Sequence, residues 1–424
     1  MPNFSIPLSG LTAESTALSA IANNLANQNT TGYKDTSVLF SDLFYQELGT
    51  TGSGDPIQVG AGTDVSSMPS LFTQGSISAT GVPTDVAIQG TGFFAAQNAD
   101  GTIDYTRAGD FSVDANNYLV TAAGQQVLGY PAANGVVNTG AGIGPLQLGA
   151  GTISPPTATG NVTLTVNLDS STVPTDPPFS TPVTIYDSLG AAHTLTATFT
   201  NTAPNTWDYS LSIPSTDLNL AGGTGVLSTG TLTFNGNGVL TGDTATTGGT
   251  VTGALSDVTG IPINGFADGA TNMTFNWNVL SGTTPVLSQV AAPDSTTSAN
   301  QDGSSSGSLE SFAIGSDGTI TGSFSNGETE ALGQIALASF ANNNGLQLNG
   351  STDFTPTLAS GPAVVGVPGA GELGTVSGGS LELSNVDIAT EFANLIVAQR
   401  GYEADAKAVT TFDQIMQDTI ALKQ

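Results

Sequence analysis

The chain has 424 residues, which is enough for two or three domains with sizeable cores. It carries 34 acidic residues against 5 Lys or Arg, which gives a formal net charge of −29, and it contains no Cys. Nucleic acids and anionic membranes attract rows of cations, so neither is expected as a partner, and the lack of Cys excludes disulfides, thiolate catalysis and cysteine metal sites.

The first predicted element is a helix over residues 7–27. The residues before it have no Lys or Arg ahead of an apolar stretch, so no cleaved signal peptide is expected. No run in the chain approaches the ~18 apolar residues of a membrane span, so membrane insertion is not expected either. One face of the helix is formed by residues spaced three or four apart, namely Leu8, Leu11, Ser15, Leu18, Ala22 and Leu25, with Ile21 beside them.

A connector and a split β domain follow the helix. Residues 31–73 combine a cluster of apolar residues with a Gly-rich stretch and are predicted to form the connector. Residues 74–150 consist of short strand-like runs separated by turns, with a hairpin signal at residues 98–101. Similar runs with Asp-Gly and Asn-Gly turns occupy residues 304–380. The two stretches are predicted to form one split inner β domain.

Residues 151–303 are predicted to be an outer β domain that is inserted into the split one. Apolar residues alternate there with Thr, Ser and Asn, as at Trp207, Tyr209, Leu211 and Ile213. A period of two is typical of antiparallel sheets with one face in water. The sequence therefore predicts nested antiparallel β domains.

The last predicted element is a long helix that opens with a capping box. Ser384 is expected to accept a backbone N–H, with Asp387 in the first turn. Gly401 lies inside the helix and should cost roughly 1 kcal/mol relative to Ala. Residues 1–30 and 381–424 are predicted to pair as a coiled-coil-like helical assembly domain, so the expected fold class is mainly β with paired terminal helices. The apolar residues of the last helix follow a 4-3 spacing, at Ile388, Phe392, Leu395, Tyr402, Ala406, Val409, Phe412, Met416 and Ile420.

Several short motifs stand at the two ends of the chain and in the strands after the connector. Those near the start are Ser-Gly-Leu at 9–11, Asn-Asn-Leu-Ala-Asn at 23–27 and Thr-Gly-Tyr-Lys at 31–34. Those in the strands are Asp-Val-Ala-Ile-Gln-Gly-Thr-Gly-Phe-Phe at 85–94 and Tyr-Thr-Arg-Ala-Gly at 105–109. Those near the end are Leu-Glu-Leu-Ser-Asn-Val-Asp at 381–387 and Gln-Arg-Gly-Tyr at 399–402. In these motifs the chain resembles the rod and hook family of bacterial flagellar axial proteins.

Further motifs lie in the predicted outer domain. Tyr-Asp-Ser-Leu-Gly at 186–190 and His-Thr-Leu at 193–195, followed by Trp207, resemble the outer domain of the hook members of that family. This resemblance implies a structural subunit that self-assembles into the curved tube of the flagellar hook, a universal joint that transmits motor torque to the filament. It also implies an extracellular location, reached by export without a cleaved signal peptide.

The same resemblance implies a set of partners. They are other copies of the chain, the rod and hook-filament junction proteins, the hook cap and the flagellar export apparatus. No cofactor is implied. The residues expected to mediate self-assembly are Leu11, Leu18, Ile21, Asn24, Leu25, Asn27, Ile388, Phe392, Leu395, Tyr402, Val409, Met416 and Ile420.

Two alternatives stay open at this point. One is a distal rod protein of the same family, and the other is an extracellular β-rich protein or enzyme that acts on polysaccharide. Residues 303–307 spell a nucleophile elbow but lack the flanking strand and helix. His193 is the only histidine, so a catalytic triad or a His-based zinc site has no second imidazole. No catalytic, cofactor or metal residue is therefore nominated, and the chain is not expected to be an enzyme.

Overall fold

A computed structural model of the chain describes residues 5–51, 55–133, 135–148, 153–219 and 224–422. The chain divides into two compact units. The first unit consists of Met1–Ala150, Ser311–Gly322 and Glu330–Gln424, and the second consists of Gly151–Glu310 and Ser323–Thr329. Each unit has its own hydrophobic core.

The helices described in the first unit are the long helices α1 (Ser5–Ala26) and α2 (Ile388–Ala421) and a short 3₁₀ turn (Asn343–Gly345). The strands before the second unit are β1 (Leu39–Asp42), β2 (Gln46–Thr50), β3 (Pro56–Val59), β4 (Thr63–Ser67), β5 (Ile77–Ala79), β6 (Val86–Gln89), β7 (Phe93–Gln97), β8 (Ile103–Thr106), β9 (Ser112–Val113), β10 (Leu119–Val120), β11 (Gln126–Ala133), β12 (Val136–Val137) and β13 (Gly144–Pro145).

The strands of the second unit follow in the chain. They are β14 (Ile153–Ser154), β15 (Asn161–Asp169), β16 (Phe179–Tyr186), β17 (Ala192–Ala203), β18 (Thr206–Ser212), β19 (Val226–Phe234), β20 (Leu240–Thr247), β21 (Val258–Ile263), β22 (Met273–Asn278), β23 (Leu280–Ser281), β24 (Thr284–Pro285), β25 (Leu287–Val290) and β26 (Ser295–Gln301). The remaining strands are β27 (Gly307–Ile314), β28 (Thr319–Phe324), β29 (Thr329–Ile335), β30 (Leu337–Ser339), β31 (Gln347–Gly350), β32 (Asp353–Thr355), β33 (Val364–Gly366), β34 (Thr375–Gly378) and β35 (Ser380–Glu382).

The first unit is built around a sheet that contains the strand order β29-β11-β7-β8-β32-β31, in which each neighbouring pair is antiparallel. Phe94 packs into one apolar cluster and Phe93 into another. Side chains alternate across a strand, so these neighbours point to opposite faces. Strands that precede the second unit in the sequence and strands that follow it therefore contribute to the same core of the first unit.

The second unit contains two five-stranded sheets. One has the order β16-β17-β18-β19-β20, and the other is built on β15 with β21, β22, β25 and β26. Alternate residues are buried along β15, β17 and β18, and the core includes Trp207, Trp277 and Phe199. Most pairs are antiparallel, but β15 pairs in parallel with β22 and with β25. The sequence pattern did not predict these two parallel pairs, because period two reports burial and not strand direction.

The predicted fold class is confirmed: the molecule is mainly β, largely antiparallel, and α1 packs against α2. Among the described residues, no helix combines the length and the apolar character that crossing a membrane would require.

The predicted capping box is corrected. α2 begins at Ile388, and its N-cap is Asp387, whose carboxylate accepts hydrogen bonds from the backbone N–H groups of Ala389 and Thr390. Ser384 lies before the helix, and its hydroxyl oxygen accepts from Val386 N at 3.3 Å. The carboxylate of an N-cap Asp reaches the amides two and three residues ahead, so the helix starts three residues later than a Ser384 cap would allow.

Candidate assembly surface of the terminal helices

The inner contact between α1 and α2 is made by small and aliphatic side chains. The buried cluster contains Ala17, Ile21 and Ala398, and Leu18 and Leu395 pack beside it. Gly10 near the start of α1 lies against Asp405 in the middle of α2, and Asn24 near the end of α1 bonds to Glu391 at the start of α2, so the two helices run antiparallel. Alanines at the contact let the backbones approach, and Ile21 and Leu395 fill the space that remains.

Two glycines lie where a carboxylate of one helix packs against the other. Oε1 of Glu14 lies 2.8 Å from the position that a Cβ on Gly401 would occupy, and Asp405 packs in the same way against Gly10. Gly401 therefore has a packing role that the helix-propensity estimate did not include. Burial raises the pKa of Glu14, and the nearby charge of Asp405 raises it further.

Asn24 joins both helices to the connector. The residue is 1% exposed. Its Oδ1 accepts hydrogen bonds from the Tyr33 hydroxyl at 3.0 Å and from Thr36 N at 3.1 Å. Its Nδ2 donates to Oε2 of Glu391 at 3.2 Å and to the Asp35 carboxylate. A buried amide must satisfy its donors and acceptors, and Asn24 does so within its own chain, although it was expected to contact another subunit.

A buried ion cluster links the start of the connector to β35, the strand that precedes α2. Oε1 of Glu382 lies 2.6 Å from Nζ of Lys34, and Oε2 lies 3.2 Å from a terminal guanidinium nitrogen of Arg107. The same Oε1 accepts from Gly75 N, and Lys34 also donates to the Thr73 carbonyl. All three charged side chains are almost fully buried. The three residues come from separate motifs, at 31–34, 105–109 and 381–387, so those motifs meet in one structural site.

Burial dominates the titration of the two cations in this cluster. It lowers the pKa of Lys34 below its usual range, and the hydrogen bond and charge of Glu382 act in the opposite direction. Arg107 follows the same pattern, because burial lowers its pKa and Glu382 opposes that effect. Glu382 thus opposes the effect of burial on both cations.

The residues predicted for self-assembly separate into three groups. Ile21 and Asn24 are buried between elements of the same chain. The half-buried ones are Leu11, Leu18, Leu25, Asn27, Leu395, Val409 and Met416. The exposed ones are Ile388, Phe392, Tyr402 and Ile420. The side chain of Asn27 donates to the Asn23 carbonyl at 2.9 Å and accepts from the Thr30 hydroxyl at 3.1 Å, so its hydrogen bonds are also internal.

The sequence analysis missed several exposed apolar residues of the helices. Val397 is 72% exposed and Ile396 is 59% exposed, and Ile396 follows Phe392 by one turn on the same face of α2. Ile6 and Ile415 are exposed as well, as is Leu8, which the sequence analysis did place on the apolar face of the first helix. A wider apolar arc was visible in the sequence, but the 4-3 pattern selects one narrow stripe and leaves out residues at its edge.

The connector adds a second exposed apolar region. β1 pairs with β4 and β2 pairs with β3, both antiparallel. Leu39, Phe40 and Tyr45 are exposed, and Phe44 is 96% exposed. Contiguous apolar surface of this kind marks sites of protein–protein contact. α1, α2 and the connector therefore form a candidate assembly surface, which we define by these exposed apolar side chains.

Four family models match successive parts of the chain. Their descriptions are Flagella basal body rod protein for residues 6–34, Flagellar hook protein FlgE/F/G D1 domain for 87–173, Flagellar basal body protein FlaE D2 domain for 159–304, and Flagellar basal body rod FlgEFG protein C-terminal for 377–422.

Curated relatives match almost the whole chain. The chain is 36% identical to the flagellar hook protein FlgE of Salmonella typhimurium, with 99% of this chain and 100% of the relative covered. It is 34% identical to FlgE of Borreliella burgdorferi, with 98% of each chain covered. The crystal structure of Helicobacter pylori flagellar hook protein FlgE2 matches with a TM-score of 0.48 and 15% identity, over 72% of this chain and 100% of that one.

Proposed function

The chain belongs to the family of flagellar hook proteins, and we propose that it is a subunit of the bacterial flagellar hook, which assembles with copies of itself into a curved tube. The tube acts as a universal joint that transmits motor torque to the filament. The observation that carries the proposal is the apolar surface that α1 and α2 leave exposed although they already pack against each other.

Exposed apolar side chains supply the energy of assembly. Fully burying a large apolar side chain contributes roughly 1.5–3 kcal/mol, and Phe392, Ile396 and Val397 are all available for burial by another subunit. We propose that the outward-facing predicted residues, Ile388, Phe392, Tyr402 and Ile420, make these contacts with half-buried neighbours such as Leu11, Val409 and Met416. Ile21, Asn24 and Leu395 then hold the helices in the orientation that presents this surface.

Each proposed domain has its own role in the tube. Residues 1–30 with 381–424 form the helical assembly domain, and residues 31–73 form the connector. Residues 74–150 with 304–380 form the inner β domain, and residues 151–303 form the outer one. In this proposal the helices supply strong contacts along the tube, and the polar surfaces of the β domains slide against neighbouring subunits as the tube bends.

The proposed location and partners follow from membership of the family. The chain is part of the flagellum, and we place it outside the cell after export without a cleaved signal peptide. Its proposed partners are copies of itself, the rod and hook-filament junction proteins, the hook cap and the export apparatus. The family is one of structural proteins, and the proposal assigns the chain no catalytic activity.

The hook is favoured over the rod and over a polysaccharide-binding protein. Relatives named as hook proteins align over nearly the full chain, and a match to the FlaE D2 domain covers residues 159–304. A polysaccharide-binding role would not explain why the helices expose apolar side chains.

Electron microscopy of the purified full-length chain tests the proposal. Raising the protein concentration should produce tubes of uniform diameter, because each added subunit buries the same surface. Curved tubes support the hook, whereas only straight tubes would support the distal rod. A chain that sediments as a monomer at every concentration, with its native circular dichroism spectrum, would contradict self-assembly.

A further inference from the structure

His193 lies between two carboxylates at one end of the second unit. Its Nε2 is 3.1 Å from Oδ2 of Asp187, and its Nδ1 is 3.2 Å from Oδ2 of Asp217. The imidazole is 7% exposed, Asp187 is fully buried, and the ring of Phe266 packs at 4.9 Å from the imidazole. The sequence analysis set His193 aside because no second imidazole exists, but that argument did not consider carboxylate ligands.

A third carboxylate completes the group. One ligand atom each from Asp187, His193 and Asp268 lie within 4.8 Å of one another, and Asp268 is exposed to solvent. Two carboxylates at such close range require a proton or a cation between them.

The second unit provides no side-chain cation to balance this charge. The sequence contains no Lys or Arg between Ala108 and Gln399, so His193 alone faces Asp187, Asp217 and Asp268. Even a fully protonated imidazole leaves the group with a net negative charge. A bound cation would remove that imbalance.

We propose that Asp187, His193 and Asp268 bind a divalent transition-metal ion of the zinc class. A donor set of one imidazole nitrogen and two carboxylate oxygens suits zinc and its neighbours in the first transition row, whereas calcium and magnesium prefer oxygen alone. The ion takes the place of the proton between Nε2 and the Asp187 carboxylate. A water molecule would complete the coordination of the ion.

Asp217 orients the imidazole for this role. Its carboxylate accepts a hydrogen bond from Nδ1 and so leaves the Nε2 lone pair directed at Asp187 and Asp268. Metal-binding histidines commonly donate their other ring N–H to a carboxylate in this way, and loss of that partner typically lowers metal affinity by about 10–100-fold. Asp217 is therefore a positioning residue for the proposed site.

The proposed ion would join the turn before β17 to the segment between β21 and β22, and Asp217 would connect a third segment to it through His193. Asp187 opens the turn between β16 and β17, Asp217 lies in the segment after β18, and Asp268 lies between β21 and β22. The turns are already linked by hydrogen bonds from Thr271 N to the Ser188 hydroxyl and from Ala267 N to the Asp217 carbonyl. Metal binding should stabilise this end of the unit, and this role does not depend on assembly.

Calorimetric titration of the chelator-treated full-length chain with zinc chloride tests the proposal. We expect one ion per chain, a higher melting temperature of the second unit and, with cobalt chloride, a visible absorption band from protein-bound cobalt. Asp268→Asn and His193→Gln should abolish these signals, and Asp217→Asn should lower the affinity by about 10–100-fold. Asp208→Asn, which changes an exposed carboxylate elsewhere in the unit, should bind as the wild type does.

Asp268 is exposed, so its Asn variant should fold, and that variant keeps the test decisive if the His193 variant does not fold. The proposal is overturned if the folded wild-type chain releases no heat with zinc, or if Asp268→Asn binds as tightly as wild type. Binding of calcium in preference to zinc would overturn the assigned metal class.

Discussion

In the second unit the large apolar side chains point into a core made by the same chain, whereas on α2 many of them point away from it. Trp277 is 0% exposed, and Val397 is 72% exposed. The sheets of the second unit cover one another's apolar faces, so this unit needs no further partner for its core. α1 covers only one side of α2, and the rest of the apolar arc is left for another molecule.

An apolar pattern in the sequence identifies which face of a helix or strand is buried, but it does not show whether the same chain or another subunit covers that face. In the second unit the alternating residues reach the core directly, as at Trp207, Tyr209 and Leu211. In α2 the same reasoning selected Phe392 and Leu395 together, yet Leu395 packs against α1 and Phe392 is exposed. Folding and assembly should therefore respond to substitutions at different positions.

The largest expected effect is on assembly. Val397→Asp should abolish tube formation, because an unpaired carboxylate buried at every repeated contact costs several kcal/mol. The folded chain should melt as the wild type does, since Val397 is exposed within it. Electron microscopy and thermal unfolding measure the two effects separately.

The matched control is Gln399→Asp, which adds the same charge at another exposed position of the helix. If Val397→Asp formed tubes at the wild-type concentration, position 397 would not be buried between subunits. The contrast between a covered core and an uncovered helix face would then not explain assembly.

Trp277→Ala tests whether the second unit is stabilised by its own core. Removal of this buried side chain should lower the free energy of unfolding of the second unit by about 3–5 kcal/mol. The transition of the first unit should be unchanged, because each unit has its own core. Calorimetry that separates the two transitions makes the measurement. Val226→Ala, at an exposed site of the same unit, should change the stability by less than about 0.5 kcal/mol, and equal effects of the two variants would be inconsistent with a self-contained core.

A comparable loss is expected in the first unit from Glu382→Gln. This change leaves Lys34 and Arg107 buried without a carboxylate, and breaking a buried pair in this way typically costs about 3–5 kcal/mol. The control is Glu403→Gln, since its partner Arg400 is exposed and such pairs contribute about 0–1 kcal/mol. Urea unfolding should therefore give a clearly lower midpoint for Glu382→Gln than for Glu403→Gln. Similar midpoints for the two variants would show that the buried ion cluster does not stabilise the first unit.

Local patterns predicted the parts of the fold that depend on neighbouring residues. The terminal helices and the alternating strands of the second unit follow from spacing alone, because burial repeats with the helix or strand period. The start of α2 was misplaced because Ser384 and Asp387 are both good caps, and only the three-dimensional path of the chain decides between them.

Contacts between distant residues could not be predicted in the same way. Lys34, Arg107 and Glu382 stand in separate motifs, and no local pattern indicates that they lie close together. Asn24 was predicted to mediate self-assembly, and its hydrogen bonds to the connector and to Glu391 are likewise contacts that its sequence motif does not reveal. Which apolar residues of α2 face outward depends on the side that α1 covers, and that is a tertiary property.

The smallest expected effect concerns the carboxylates at the contact between the helices. The pKa of Glu14 is raised by burial and then by the charge of Asp405. A carboxyl with a raised pKa in the folded state contributes stability that is fully present below its ordinary value of 4.5 and is lost as the pH rises through the folded pKa. The pairing of α1 with α2 should therefore weaken over this acidic range as Glu14 ionises next to Asp405.

Glu14→Gln should remove that pH dependence and make the helix pair slightly more stable at neutral pH. The gain should be less than about 1 kcal/mol, because solvent screens a partly exposed pair. The measurement is thermal unfolding of the helices, followed by circular dichroism at a series of pH values from 4 to 7. Asp413→Asn removes an exposed carboxylate elsewhere on α2 and should leave the profile unchanged. A Glu14→Gln profile that coincides with wild type would show that the helices tolerate both charges, and the contact would then be set by the small residues alone.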